Sequence, residues 1–273
     1  MDDYSWRLKI GRAREHLAEL DVLLRPFWDR RDYLVTESEN KHHKQRQWIY
    51  HLSCPAVVDP KISLVLGDAL FNLRSALDHI AVALVPRRRK FSASYPICLK
   101  DPEAVGANRT TAGEREFAAW KTATMGMNAS VLTIVRKSQP YSAVLALDLQ
   151  PPDLAASDHS LAVLSALQNA DKHRQLIIAI EALDLQSVEV RDRVTGDLLF
   201  DDVERLRSHL HRQGAVIHAG PTQVDVKAIG ALHVAVGVGG GQNWIGPYRR
   251  LPDFPEALLR TVEGLVGSLE IHL

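Results

Sequence analysis

The stretch Gly67-Asp68-Ala69-Leu70-Phe71-Asn72-Leu73-Arg74-Ser75-Ala76-Leu77-Asp78-His79-Ile80-Ala81 decides how this chain is read. Leu66, Leu70, Leu73, Leu77, Ile80 and Leu84 recur at steps of three and four, the spacing of one buried helix face. At 100° per residue Asp68, Asn72, Ser75 and His79 fall on a second line, flanked by Arg74 and Asp78. A face meant only for water would favour Lys, Glu and Gln, which keep a helix both soluble and helical. Asn, Ser, Asp and His lower helix propensity and make directed hydrogen bonds. The helix is therefore expected to offer polar groups to a specific partner.

Outward from this helix, Ser5 to Leu24 reads as a first helix with Leu8, Ala13, Leu17, Leu20 and Leu24 toward the core and Pro26 as its end. Tyr33-Leu34-Val35-Thr36-Glu37 and Gln47-Trp48-Ile49-Tyr50-His51-Leu52 read as two strands of a hairpin, at about 33–52, with the charged tip Glu39 to Lys44. The motif helix should run from about Pro60 to Val85, where Pro86 stops it. Arg87-Arg88-Arg89-Lys90 then suits the negative end of the helix dipole and also offers phosphate or RNA contacts. A third helix is expected within Glu114 to Lys121, extending toward Val131 to Arg136, with Gln139-Pro140-Tyr141 as a stop. A fourth starts near Ser157-Asp158 and reaches Asn169-Ala170-Asp171-Lys172-His173-Arg174, in which Asn169 and His173 share a face.

After Leu176 the pattern turns to short strands, Ser187 to Arg191, Leu198 to Phe200, Ala215 to His218 and Ala231 to Val236, with a turn at Thr195-Gly196-Asp197. Pro255 to Leu269 forms a last helix. The fold class expected is α+β: a bundle of four to five helices with an appended small antiparallel sheet. Residues 1–180 would form the mainly helical domain with its hairpin insertion. Residues 181–273 would form a β-rich region that ends in a helix and packs on the bundle as one domain.

Composition excludes several classes. The chain has 273 residues, 46% apolar and 24% charged, which suits a protein with a sizeable core. No run of eighteen apolar residues exists and the first residues are acidic and polar, so the expectation is a cytoplasmic protein without membrane span or signal peptide. Thirty-three basic and thirty-three acidic side chains cancel, which excludes a surface built wholly to grip nucleic acid. Cys54 and Cys98 are too few for a disulfide framework and read as packing residues. His209, His211, His218 and His233 read as scattered surface or core histidines. Gly237-Val238-Gly239-Gly240-Gly241 lacks the Lys-Ser/Thr of a phosphate loop, and Trp244 and Tyr248 beside it read as packing.

Arg74 and His79 carry the catalytic possibility. An imidazole can take or give a proton near neutral pH, and a guanidinium can hold a phosphate and the charge that grows on it. In RNA the attacking 2′-hydroxyl belongs to the substrate, so neither protein nucleophile nor metal is needed. The plainer alternative is an Arg74–Asp78 pair at four-residue spacing and a hydrogen-bonded histidine at a helix packing surface.

The pattern Arg-x-x-x-x-His, carried by Arg74-Ser75-Ala76-Leu77-Asp78-His79, resembles the signature of HEPN domains, all-helical dimeric modules that include metal-independent ribonucleases of toxin-antitoxin and phage-defence systems. Asn72 to His79 together with Asn169 to Arg174 also resembles a recurrent pair of motifs in a broad set of uncharacterised bacterial proteins of similar length. The HEPN resemblance implies Arg74 and His79 as catalytic residues across a homodimer cleft, with Asn72 and Asp78 orienting them. It also implies RNA as substrate, an antitoxin or defence-system partner protein, and no cofactor. The hairpin and the β-rich region depart from a minimal HEPN bundle, and Asn169 with His173 matches nothing in it.

Two other classes use the same residues. Asp68, His79 and His173 could converge as metal ligands between facing helices, although the Glu-x-x-His pairs of di-iron bundles are missing. A non-catalytic assembly module could instead bury Asn, Arg and Asp at a helix interface to fix register and oligomeric state.

Overall fold

The computed structural model describes residues 4–28, 34–40, 47–53, 59–86, 93–107, 111–142, 159–173, 177–200, 215–237, 249–251 and 253–273. The architecture is α+β, a helical bundle carrying antiparallel sheet. Helix α1 spans Ser5–Trp28, and the hairpin follows as β1 (Leu34–Asn40) and β2 (Gln47–Ser53). The motif helix is α2 (Pro60–Ala83), followed by α3 (Pro102–Ala107), α4 (Thr111–Thr124), α5 (Ala129–Lys137) and α6 (Ser160–His173). Then come β3 (Ile177–Asp192), β4 (Leu198–Phe200), β5 (Ala215–Gly220), β6 (Val224–Gly237), β7 (Arg249–Leu251) and α7 (Asp253–Glu270).

Helix α2 is the axis of the core. Asp59 caps it by accepting the Lys61 backbone N–H at 2.8 Å, with Pro60 in the first turn where a missing N–H costs nothing. Leu66, Leu70, Leu73, Leu77 and Ile80 are each at most 1% exposed, as the spacing predicts. Each such side chain contributes about 1.5 to 3 kcal/mol through burial. Around it pack α1, α6 and α7.

Several boundaries differ from the expectation for identifiable reasons. Pro26 does not end α1: it sits inside the last turn, and the helix continues to Trp28. Leu8 is 71% exposed, because the α1 stripe is made by Trp6, Ile10, Ala13, Leu20 and Leu24 instead. The third helix is two helices, broken where Gly126 takes φ 96°, a left-handed conformation that favours glycine, and restarted by the Asn128 cap on Val131. Ser157 and Asp158, expected as caps of α6, lie outside the described residues. So do Cys54, Arg87 to Lys90, His209, His211, Val238 to Gly241, Trp244 and Tyr248.

The strands form two antiparallel sheets rather than one. The hairpin takes β5 as a third strand, in the order β1-β2-β5, and the second sheet has the order β4-β3-β6-β7. The chain passes from one to the other between β5 and β6, and there the Tyr50 hydroxyl of β2 accepts the Val224 backbone N–H at 3.0 Å. Arg193 joins the sheets again by reaching both Glu37 and Asp225. The expected turn at Thr195-Gly196-Asp197 closes β3 onto β4, with Gly196 at φ 76°.

Helix α7 returns to the start of the chain. Glu270 accepts from Arg7 at 2.8 and 2.9 Å and from the indole N–H of Trp6, while Glu263 accepts from Arg14 at 2.8 Å. Among the described residues no helix is long and apolar enough to cross a membrane.

Candidate functional site

The polar residues of α2 divide into three groups with different neighbours. Asn72 turns inward. It is only 8% exposed and its amide donates back to the Asp68 carbonyl at 2.8 Å, a bond within its own helix.

Arg74 and Asp78 face a strap formed by residues 93–98, which has no regular secondary structure and bonds to α2 on one side and to the end of α5 on the other. The Arg74 guanidinium donates from Nη2 to the Tyr95 carbonyl at 2.7 Å and lies 3.2 Å from Asp78 Oδ1. That same carboxylate oxygen accepts the Tyr95 backbone N–H at 2.9 Å. Both polar groups of one peptide residue are thus held by an ion pair at four-residue spacing, the geometry in which a helix brings two side chains together. The Tyr95 ring is fully buried and its hydroxyl meets Ser138 Oγ. Burial pushes the phenol well above its ordinary range, so it stays protonated. On the far side Gln139 accepts from the Cys98 N–H and donates to the carbonyls of Pro96 and Val135.

His79 looks the other way, toward α1. Its Nδ1 lies 3.0 Å from Ser5 Oγ, and the ring is half-buried. Arg74 and His79 share no partner among the described residues. Five residues of helix rotate them about 140° apart, and each is held by a different element. The plainer reading of the motif, an Arg74–Asp78 pair and a packed histidine, describes these contacts.

The second motif meets α2 elsewhere. The carboxylate of Asp171 lies over Gly67, so close that an added Cβ there would stand 2.7 Å from Oδ1. Burial, and the neighbouring Asp68 charge, hold Asp171 above the usual carboxylate range. The two motif helices are therefore neighbours, but through Gly67 and Asp68. None of Asn72, Arg74 and His79 bonds to Asn169, which is exposed, among the described residues. The side chains of Lys172 and His173, and all of Arg174, lie outside the described residues.

A metal shared by Asp68 and His79 does not fit one subunit. The two residues lie on one line of the helix but eleven positions apart, about 16 Å along the axis. Among the described residues no three His, Cys, Asp or Glu side chains form a metal-binding group. Cys98 is half-buried and free; burial, then the Glu116 and Asp101 charges, push its thiol up to about 11, which leaves it protonated and unreactive at neutral pH.

The strap and its clamp are what sequence reading missed. Residues 93–98 have no periodicity, and Gln139, which reads as part of a stop, is fully buried at the strap's far attachment. Comparison with family models, curated proteins and solved structures returns no match.

Proposed function

We propose that this chain is a non-catalytic, self-associating module whose working surface is the outward ridge of α2. One observation carries the reading: on a ridge otherwise polar, Leu64 is 69% and Phe71 47% exposed, two turns apart on one line of the helix. Leu8 of α1 is 71% exposed next to Lys9, whose ammonium lies 5.4 Å from the Phe71 ring centre. Large apolar side chains interleaved with Asp68 and Lys61 suit a partner that covers them while leaving the charges at a wet rim. A second copy of the chain supplies that partner by two-fold symmetry. In this reading Arg74 and Asp78 serve the fold, which agrees with their bonds to Tyr95.

Sedimentation of the wild-type protein at micromolar concentration tests it. The expected result is a dimer that Phe71→Asp converts to a monomer with an unchanged circular-dichroism spectrum. A clean wild-type monomer would remove the proposal.

A HEPN-like, metal-independent RNA-cleaving or RNA-binding activity is a second reading of the same ridge, and His79 favours it. Only the Nδ1 of this half-buried ring has a partner among the described residues, which leaves Nε2 to exchange a proton. In a dimer built on the ridge, both His79 rings would approach the cleft. Purified protein incubated with total RNA and a chelator, beside His79→Ala, separates the readings. Removal of a general acid/base should slow cleavage roughly a hundredfold or more; an assembly module cleaves in neither form.

A further inference from the structure

Behind the strap lies a cavity of about 470 Å³, within the range of small-molecule sites. Arg74 from α2, Trp120 and Glu116 from α4, Ser165 from α6 and Cys98 of the strap line it. Two of these groups have donor N–H atoms that are unpaired among the described residues. Trp120 is 4% exposed, and its indole N–H has no partner among the described residues. A buried indole N–H normally finds one. The Arg74 side chain is 17% exposed, and its two known contacts both use Nη2, so Nε and Nη1 are unpaired among the described residues.

Indole N–H and guanidinium can only donate, so whatever completes this cavity must bring acceptors. Lys100 adds a third donor to the lining, and Pro96, Ile97 and Ala123 supply apolar wall. A carboxylate or phosphate answers the donors, and a flat ring answers the wall beside the indole. We propose that this cavity binds a small aromatic acid, with its anionic group on Arg74 and Trp120. The protonated Cys98 thiol fits a binding site rather than a covalent one. The inference is independent of what the outer ridge of α2 does.

Titration of the full-length protein with benzoate, phenyl phosphate and benzyl alcohol, followed by calorimetry and ligand-observed NMR, tests it. Saturable binding should be at least about tenfold tighter for one of the acids than for the neutral alcohol, the scale of a charge-assisted hydrogen bond. The stronger of the two acids identifies a carboxylate or a phosphate as the natural group. Because Arg74 also holds the strap, the variants are Ala119→Trp, which fills the cavity from an exposed helix position, and Trp120→Phe, which keeps an aromatic ring, though a smaller one, and removes the N–H. The first should abolish binding and the second weaken it about tenfold, both with wild-type circular dichroism. Absence of saturable binding, equal binding of benzyl alcohol, or undiminished binding by Ala119→Trp would each overturn the proposal.

Discussion

Gly67 of α2 and Asp171 of α6 are in such close contact that the glycine's missing side chain is the space the carboxylate occupies. A glycine inside a helix normally costs about 1 kcal/mol relative to alanine; here it permits two helices to approach. Gly67→Ala should therefore gain less than the stability that alanine ordinarily adds inside a helix, because the exposed Asp171 carboxylate must swing away. In an Asp171→Ala background the same substitution should stabilise by up to about 1 kcal/mol. Chemical denaturation of the four proteins measures the coupling, and equal effects of Gly67→Ala in both backgrounds would refute the contact.

The Tyr95 clamp makes an ordering testable. Asp78→Ala removes the acceptor of a buried N–H and the partner of Arg74 together, with a cost of about 1 to 3 kcal/mol for the stranded groups. Asp78→Asn keeps a carbonyl oxygen for the Tyr95 N–H and should cost less. If urea midpoints place the asparagine variant at or below the alanine variant, the ion pair rather than the peptide bond is what matters.

His159 gives α6 a pH-sensitive start. Its Nδ1 accepts the Leu161 N–H at 3.2 Å, so the ring must be neutral there, and burial holds it below the ordinary imidazole value. The unfolded chain then binds the proton more readily than the folded one. Stability from this group is complete above about pH 6.5 and falls as the pH drops through the lowered folded-state value. His159→Asn, which keeps a capping acceptor without titrating there, should flatten the melting temperature between pH 7 and 5. A wild-type profile already flat over that interval would exclude the role.

The hydroxyl of Tyr50 should be worth more than its size. It is the acceptor for Val224, and both residues are 1% exposed. Tyr50→Phe leaves the N–H stranded and should cost about 1 to 3 kcal/mol. Unfolding calorimetry that showed a loss well under this range would mean that another acceptor takes its place.

Apolar spacing made the long elements readable in advance. Leu66 to Ile80 could hardly be anything but a buried helix face, and Thr195-Gly196-Asp197 announced its turn through glycine. Leu8 is exposed because Trp6 and Ile10, which have the better spacing, take the buried stripe of α1. The helix rise alone already separated Asp68 from His79 too widely for one ion. The strap was beyond reach, since its attachments join Tyr95 to Asp78 and Cys98 to Gln139 over 17 and 41 residues, with no local pattern to report them. Gly67 was the one hint of the α6 contact: an isolated glycine within a strong helical pattern often marks a close approach.

The pairing of α1 with α7 has a consequence for synthesis. Arg14 waits 249 residues for Glu263, and Arg7 waits 263 for Glu270. At a translation rate of about 5 to 20 residues per second, Trp6, Ile10 and their neighbours stay without part of their final cover for roughly 10 to 50 seconds. A nascent chain thus carries α1 half-dressed until α7 has been made, a long window for chaperones to engage that helix.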